Sequence, residues 1–262
     1  MPELADVEVY RRYLNATALH QRIAGTHAES DEILQGASPQ GLGRALKDNQ
    51  FDSSCRHGKY LFIELHNGGW LGMHFGMTGS LAYFGADSQV PDYTRLLLTF
   101  NNGYRLAYVA PRKLGKVFLT DTVQAFIEDH GLGPDALAPS PAEFKELARG
   151  RRGSVKGWLM DQQCLAGIGN VYSDEILFQA RVHPKQNLSR LDEAALEALY
   201  RNLHQVFDAA IEAGADPDRM PGHFLLLQRH DDGQCPRCGG KVKHIQVAGR
   251  SAWFCPACQS NG

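Results

Sequence analysis

The 262-residue chain reads as an α+β protein: an N-terminal helix and β-sandwich, then a helical domain that ends in a small four-cysteine ribbon. Three observations carry this fold class. Between residues 60 and 109, apolar runs of strand length come in pairs joined by turns rich in Asn and Gly. Glycine and proline then crowd residues 131–141, and beyond them the apolar spacing becomes helical. Near the end, Cys235-Pro-Arg-Cys238 and Cys255-Pro-Ala-Cys258 form two Cys-x-x-Cys pairs.

Taken in order, Leu4, Val7, Tyr10, Leu14 and Leu19 recur at spacings of three to five, which predicts an amphipathic helix over 4–19. Tyr60–Leu65 and Trp70–Phe75 flank His66-Asn67-Gly68-Gly69, and Leu96–Phe100 and Tyr104–Val109 flank Asn101-Asn102-Gly103. Both read as hairpins, because Asn and Gly accept the positive φ that tight strand turns demand. The breakers Gly131, Gly133, Pro134, Pro139 and Pro141 mark 131–141 as a linker after an N-terminal domain over 1–130. Helical periodicity covers 142–149, 154–161, 171–179 and 191–213, the last rich in Ala, Leu and Glu. A helical domain over 142–226 and a ribbon over 227–262 complete the expected organisation.

Hydrophobic residues at 43% and charged residues at 21% are ordinary globular composition, so disorder is excluded as the default. The net charge of −2 gives no global attraction to a polyanion, so any such site must be a local basic patch. The first residues lack the apolar segment of a secretory signal, and no run is long enough to span a bilayer. A cytoplasmic protein without membrane association is expected, and in a reducing cytosol the paired cysteines read as metal ligands. Cys235, Cys238, Cys255 and Cys258 supply four soft thiolates for one tetrahedral Zn2+, whose role is structural because sulfur fills every position. Cys55 and Cys164, outside this set, read as buried inert thiols. Arg229, Arg237, Lys241, Lys243 and Arg250 face only Asp231 and Asp232 around the ribbon, a place for the basic patch. Arg250 sits in the turn Ala248-Gly249-Arg250-Ser251, where the competing reading is a solvated surface arginine.

Three other segments carry chemistry. Removal of Met1 would leave Pro2 as a secondary amine, unprotonated in part at neutral pH, that attacks a sugar aldehyde carbon to give an iminium. Glu3 lies beside it as an acid or base. Gly167-Ile168-Gly169-Asn170-Val171-Tyr172 is a glycine-rich turn entering a helix, whose amides and Asn170 side chain suit a phosphate. Arg56-His57-Gly58-Lys59-Tyr60 places Lys59 at the mouth of a strand.

In chain order these segments resemble the formamidopyrimidine-DNA glycosylase and endonuclease VIII family of base-excision repair enzymes. Met1-Pro2-Glu3-Leu4 is similar to the family N-terminus and His57-Gly58-Lys59-Tyr60-Leu61 to its lysine strand. His74-Phe75-Gly76-Met77-Thr78-Gly79-Ser80 resembles its methionine loop, and Pro111-Arg112-Lys113-Leu114-Gly115 its intercalation loop. Leu159-Met160-Asp161 through Asn170 to Glu175 resembles its helix-two-turn-helix, and the ribbon with Arg250 closes the match.

The resemblance implies a bifunctional glycosylase and AP lyase acting as a monomer on double-stranded DNA that holds a damaged base or an abasic site. Pro2 would attack C1′ of the damaged nucleotide, with Glu3 handling protons around the ribose and Lys59 supplying a cation near the sugar. Asn170 and Arg250 would grip the flanking phosphates. His74 and Lys113 belong to the DNA-contacting loops, and Met77, Arg112 and Leu114 would fill the gap left by the flipped base. Spacing alone assigns Met77 and Leu114 to the core. A damage- or abasic-site-binding protein of the same fold, with lyase activity only or without base excision, is the alternative. Three departures bear on the substrate. Ala5-Asp6 replaces the family's usual proline and glutamate, and Leu114 stands where guanine-directed members have phenylalanine. Residues 215–234 are shorter than the segment that closes over an oxidised purine. Ring-opened purines, oxidised pyrimidines, bulky adducts and abasic sites all remain open as substrates.

Overall fold

Two compact units make up the chain, one holding Pro2 and Asp6–Gly131, the other Glu3–Ala5 and the chain from Leu132 onward. This computed structural model describes residues 2–29 and 31–260. Among the described residues, the first unit takes helix α1 (Leu4–Thr17) from Asp6 onward, nine strands, two short α-helices and a 3-10 turn over Asp31–Ile33. The strands are β1 (Ile23–Ala28), β2 (Leu34–Gln35), β3 (Phe51–His57), β4 (Tyr60–Leu65), β5 (Trp70–His74), β6 (Ser80–Gly85), β7 (Thr94–Phe100), β8 (Tyr104–Val109) and β9 (Lys116–Thr120). They form a four-stranded sheet in the order β1-β7-β8-β6 and a five-stranded sheet in the order β2-β9-β5-β4-β3. Every pairing is antiparallel except β2 with β9.

One core joins the two sheets. Leu61, Ile63, Leu71, Met73 and Val117 from one meet Leu96, Leu98, Phe100, Leu106 and Tyr108 from the other. Val7 and Leu14 of α1 and Leu42 and Leu46 of helix α2 (Pro39–Leu46) complete it. This is the sandwich behind a helix that the sequence predicts. Helix α1 stops at Thr17 rather than at 19, because His20 turns left-handed (φ 60) and its N–H bonds the Phe51 carbonyl. The outer face of the larger sheet is aromatic: Phe118 stacks on Phe126 of helix α3 (Val123–Asp129) with centroids 4.2 Å apart.

Two glycines of this unit set the site loops. A Cβ on Gly115 would lie 1.7 Å from the Tyr108 hydroxyl, which donates to the His74 carbonyl at 2.9 Å. A Cβ on Gly76 (φ 58) would lie 2.5 Å from the Leu114 backbone. The loop after β5 and the loop before β9 therefore touch backbone to backbone.

The second unit holds α4 (Pro141–Ala148), α5 (Val155–Leu159), α6 (Asn170–Gln179), α7 (Glu193–Glu212) and the hairpin β10 (Lys243–Val247) and β11 (Arg250–Phe254). Caps explain the helix starts: Ser140 forms a capping box with Glu143, Ser154 accepts from Gly157 N, and Asp192 accepts from Ala195 N. Residues 132–141 pack into this unit: Ala136 is buried and donates its N–H to the Ala166 carbonyl, and the Ala166 N–H donates to the Pro134 carbonyl. Helix α6 is buried along 172–178 and links two cores. On one side lie Leu4, Ile176, Leu203 and Phe207. On the other, Phe178 packs with Leu225, Val242, Cys235 and Cys255 of the ribbon. The Arg237 guanidinium lies 4.5 Å from the Phe178 ring centroid and donates to the Phe178 carbonyl. No helix among the described residues is long and apolar enough to cross a membrane.

Cys164 is buried and its thiol donates to Asp161, whereas Cys55 is half-buried on β3, its thiol pushed up by burial. Glu175 is fully buried, accepting from Leu226 N and Gln179, and burial pushes its carboxyl up to about 7.

Three substitutions test this packing. Gly115→Ala overpacks a closed site and is expected to destabilise by about 1–3 kcal/mol. Gly43→Ala, in α2 with open space around it, should stabilise by about 0.5–1 kcal/mol; equal thermal midpoints for the two variants would contradict the packing. Glu175 holds its proton more tightly folded than unfolded, so its contribution is present below the unfolded value near 4.5 and is lost as pH rises through about 7. Melting curves should therefore show Glu175→Gln gaining on the parent between pH 5 and pH 8. A pH-independent difference would refute this.

Candidate active site

Helix α6 opens at Gly169, which has no side chain with which to cap it. Its unpaired amides are taken by Glu3 instead. Gly169 N donates to Glu3 Oε2 at 2.7 Å, Val171 N to Oε1 at 2.8 Å and Tyr172 N to Oε2 at 3.3 Å. The positive end of the helix dipole favours an anion at this position. Approach this close requires glycine: a Cβ on Gly169 would lie 2.3 Å from the Glu3 carboxyl carbon. Leu4 N adds a bond to the Gly167 carbonyl at 3.1 Å, and Gln162 braces the turn by accepting from Gly167 N and donating to the Ile168 carbonyl.

The expected phosphate cradle is therefore corrected. Three amides of the turn hold the chain's own carboxylate instead. Asn170 is half-buried, and its Oδ1 is buried with no hydrogen-bond partner in the protein. Pro2 is buried and one peptide bond from Glu3. The expected loss of Met1 lies outside the described residues.

Beneath Asn170 runs a charged network that the sequence reading missed. Lys156 is fully buried, and its Nζ donates to Asp174 Oδ1, to Ser173 Oγ at 3.1 Å and to the Asn170 carbonyl at 3.3 Å. Burial pushes the Lys156 ammonium down and Asp174 opposes that shift. Arg229 donates to Asp174 Oδ2 at 3.0 Å and 3.2 Å and reaches the Asn170 carbonyl at 3.4 Å. Trp253 N of β11 donates to the same Oδ2 at 3.1 Å. The only local signal was Ser173-Asp174-Glu175, three polar residues in a row inside an otherwise apolar helix.

Around the ribbon, Arg229 and Arg237 are thus engaged in packing, which removes them from the basic patch read from composition. Lys241, Lys243 and Arg250 are exposed. Arg250 opens β11 opposite Val247, across a turn in which Ala248 (φ 49) and Gly249 (φ 72) are both left-handed, the I′ pattern of a two-residue hairpin. The four cysteine sulfurs lie within 4.8 Å of one another, with Cys235–Cys258 at 3.8 Å and Cys238–Cys255 at 3.6 Å. Tetrahedral zinc with bonds of about 2.3 Å requires sulfurs about 3.8 Å apart, so the donor set fits this metal.

In the first unit, Gly58 (φ 57) and Lys59 form the two-residue turn between β3 and β4, and Lys59 is buried. His74 ends β5 in register with Tyr60, their rings 4.9 Å apart. Burial, and then Lys59, pull His74 down to about 4, and its Nδ1 accepts from Gly76 N, so a neutral ring presents Nε2–H. Met77 and Leu114 are 42% and 49% exposed, not core residues as spacing alone assigns them. Arg112 is exposed beside them. Lys113 (φ 50) is half-buried and paired with Glu32 at 2.8 Å.

Comparisons with known proteins agree along the whole chain. The formamidopyrimidine-DNA glycosylase N-terminal domain matches residues 1–117, its H2TH domain residues 132–220, and the zinc finger found in FPG and IleRS residues 234–261. The formamidopyrimidine-DNA glycosylase of Pelotomaculum thermopropionicum is 31% identical, over 99% of both chains. That of Synechocystis is 33% identical, over 99% of this chain and 98% of its own. A Lactococcus lactis enzyme solved with DNA containing N7-benzyl-Fapy-dG superposes with TM-score 0.90 at 28% identity, over 99% of this chain and 100% of that one. The same enzyme non-covalently bound to DNA containing an AP site gives 0.89 at 29% identity, over 98% and 99%. With three matching domains in order and relatives of this similarity over nearly its full length, the chain belongs to the formamidopyrimidine-DNA glycosylase family.

Proposed function

We propose that the protein is a base-excision-repair DNA glycosylase with AP lyase activity, and that Pro2 is its nucleophile. The observation that carries this reading is the seating of Glu3 on the α6 amides, which anchors the residue bonded to Pro2. Once Met1 is cleaved, the Pro2 nitrogen attacks C1′, the C1′–base bond breaks, and the base leaves with a proton. The C1′–O4′ bond then breaks as O4′ takes a proton, opening the ribose ring to an iminium that acidifies the C2′ protons. Loss of one expels the 3′ phosphate, and a further elimination expels the 5′ phosphate. Glu3 is the group we assign to proton movement about the ribose, because it is bonded to the nucleophile. Lys59 supplies positive charge near the sugar, and neutral His74 donates through Nε2–H.

Asn170 and Arg250 are the groups we assign to the phosphates beside the lesion, on double-stranded DNA, with the protein acting as a monomer in the cytoplasm at the nucleoid. Arg112, Met77 and Leu114 stand together on touching loops, exposed as wedges for the vacated stack must be. One zinc ion on Cys235, Cys238, Cys255 and Cys258 folds the ribbon and takes no part in bond breaking. Ring-opened purines are the substrate class we favour, since the Lactococcus relative holds a Fapy-dG derivative. Residues 215–234 speak for a lyase-only alternative: Met220, Phe224 and Leu225 pack into the second unit rather than forming an open lid.

Borohydride added with abasic-site duplex should trap a covalent complex, and an uncleavable N-terminal extension should abolish it; no trapping by the parent protein would refute the lyase reading. Release of a ring-opened purine from a single-lesion duplex separates full glycosylase activity from the lyase-only alternative. Chelation of zinc should weaken binding to abasic-site DNA by about tenfold or more, because the hairpin bearing Arg250 loses its fold. Unchanged affinity after complete metal removal would place Arg250 outside the grip.

A further inference from the structure

We infer that Asp174 is the positioning residue of the phosphate grip: its buried carboxylate holds the Asn170 turn and the Arg250 hairpin in one fixed register. The inference rests on the function proposed above. Asp174 is the point where four segments meet. Its Oδ1 takes Lys156 of α5, and its Oδ2 takes the guanidinium of Arg229 and the main-chain N–H of Trp253. Trp253 lies on the same short strand as Arg250. Lys156 and Arg229 each extend a second donor to the Asn170 carbonyl. One side chain is therefore bonded to the arginine strand directly and to the asparagine turn through both of its cations.

Charge explains why a carboxylate stands here. Lys156 and Arg229 bring two positive charges to this buried place, and Asp174 with Glu3, whose charge also acts on Lys156, brings two negative. Removing the Asp174 charge leaves the buried Lys156 and the half-buried Arg229 facing one distant anion, and they must move apart or draw in water. The segments they carry are those of Asn170 and Arg250. The ribbon has its own apolar core and metal ligands. A buried polar network adds directional bonds that fix register, which apolar packing alone leaves loose.

The test is the salt dependence of binding to abasic-site duplex, whose slope counts phosphates neutralised by cationic side chains at roughly one per contact. Arg250→Ala should lower the slope by about one, and Asn170→Ala, which removes a neutral group, should lower affinity with the slope unchanged; if neither variant weakens binding, the grip itself is wrong. Given those two results, Asp174→Asn should lower the slope by about one and affinity by tenfold or more. It should also raise KM far more than it lowers kcat, with the metal retained. Asp174→Glu should restore part of the affinity. Should Asp174→Asn fail to fold, the apolar triple variant Lys156→Met/Asp174→Leu/Arg229→Met should fold and show the same loss of slope. Parent-like slope and affinity in folded Asp174→Asn, or in the triple variant, would overturn the inference while leaving the grip intact.

Discussion

The carboxylate of Glu3 on the first amides of α6 is the interaction on which the site depends. A helix start leaves N–H groups unpaired, and elsewhere in this chain Ser38, Thr122, Ser140, Ser154 and Asp192 satisfy them from the residue just before the helix. At α6 the preceding residue is glycine, and the cap comes from 166 residues away in sequence. Charge-assisted bonds of this kind contribute about 1.5–3 kcal/mol each. Three of them, with the Leu4–Gly167 bond, make residues 3–5 part of the second unit. A nucleophile on a loose chain end would lose much of the benefit of proximity, and a residue bonded to Glu3 is held.

The same helix carries the second set of constraints. Ser173, Asp174 and Glu175 are all buried, so each polar atom needs a partner inside the protein. Asp174 finds two cations and a strand amide, and Glu175 finds the Leu226 N–H while burial pushes its carboxyl up to about 7. Helix α6 thereby ties the ribbon and the 215–234 segment to the turn that seats Glu3. A net charge of −2 is compatible with DNA binding on this plan, because exposed Lys241, Lys243 and Arg250 concentrate positive charge where cations are left unpaired.

What the sequence made legible was local. Both hairpins, the Cys-x-x-Cys pairs and the four helices after residue 140 depend on turn chemistry, metal-ligand spacing and caps that lie within a few residues of one another. Helix ends moved by one or two residues where a cap or a left-handed residue decided them, as at His20 and Asp192. Features set by distant partners were not legible. The amides at 169–172 looked like a phosphate cradle because nothing nearby shows that Glu3 fills them. Arg229 looked like a surface cation because Asp174 is 55 residues away. Exposure of Met77 and Leu114 follows from the close approach of two loops at Gly76 and Gly115, which apolar spacing does not encode.

The central claim is that the anchored N-terminal proline, and no lysine, forms the bond to the sugar. Peptide mapping by mass spectrometry of the borohydride-reduced complex with abasic-site DNA tests it directly. The account predicts the deoxyribose remnant on the N-terminal peptide, at the nitrogen of Pro2. A remnant on Lys59, or on any other lysine, would contradict it.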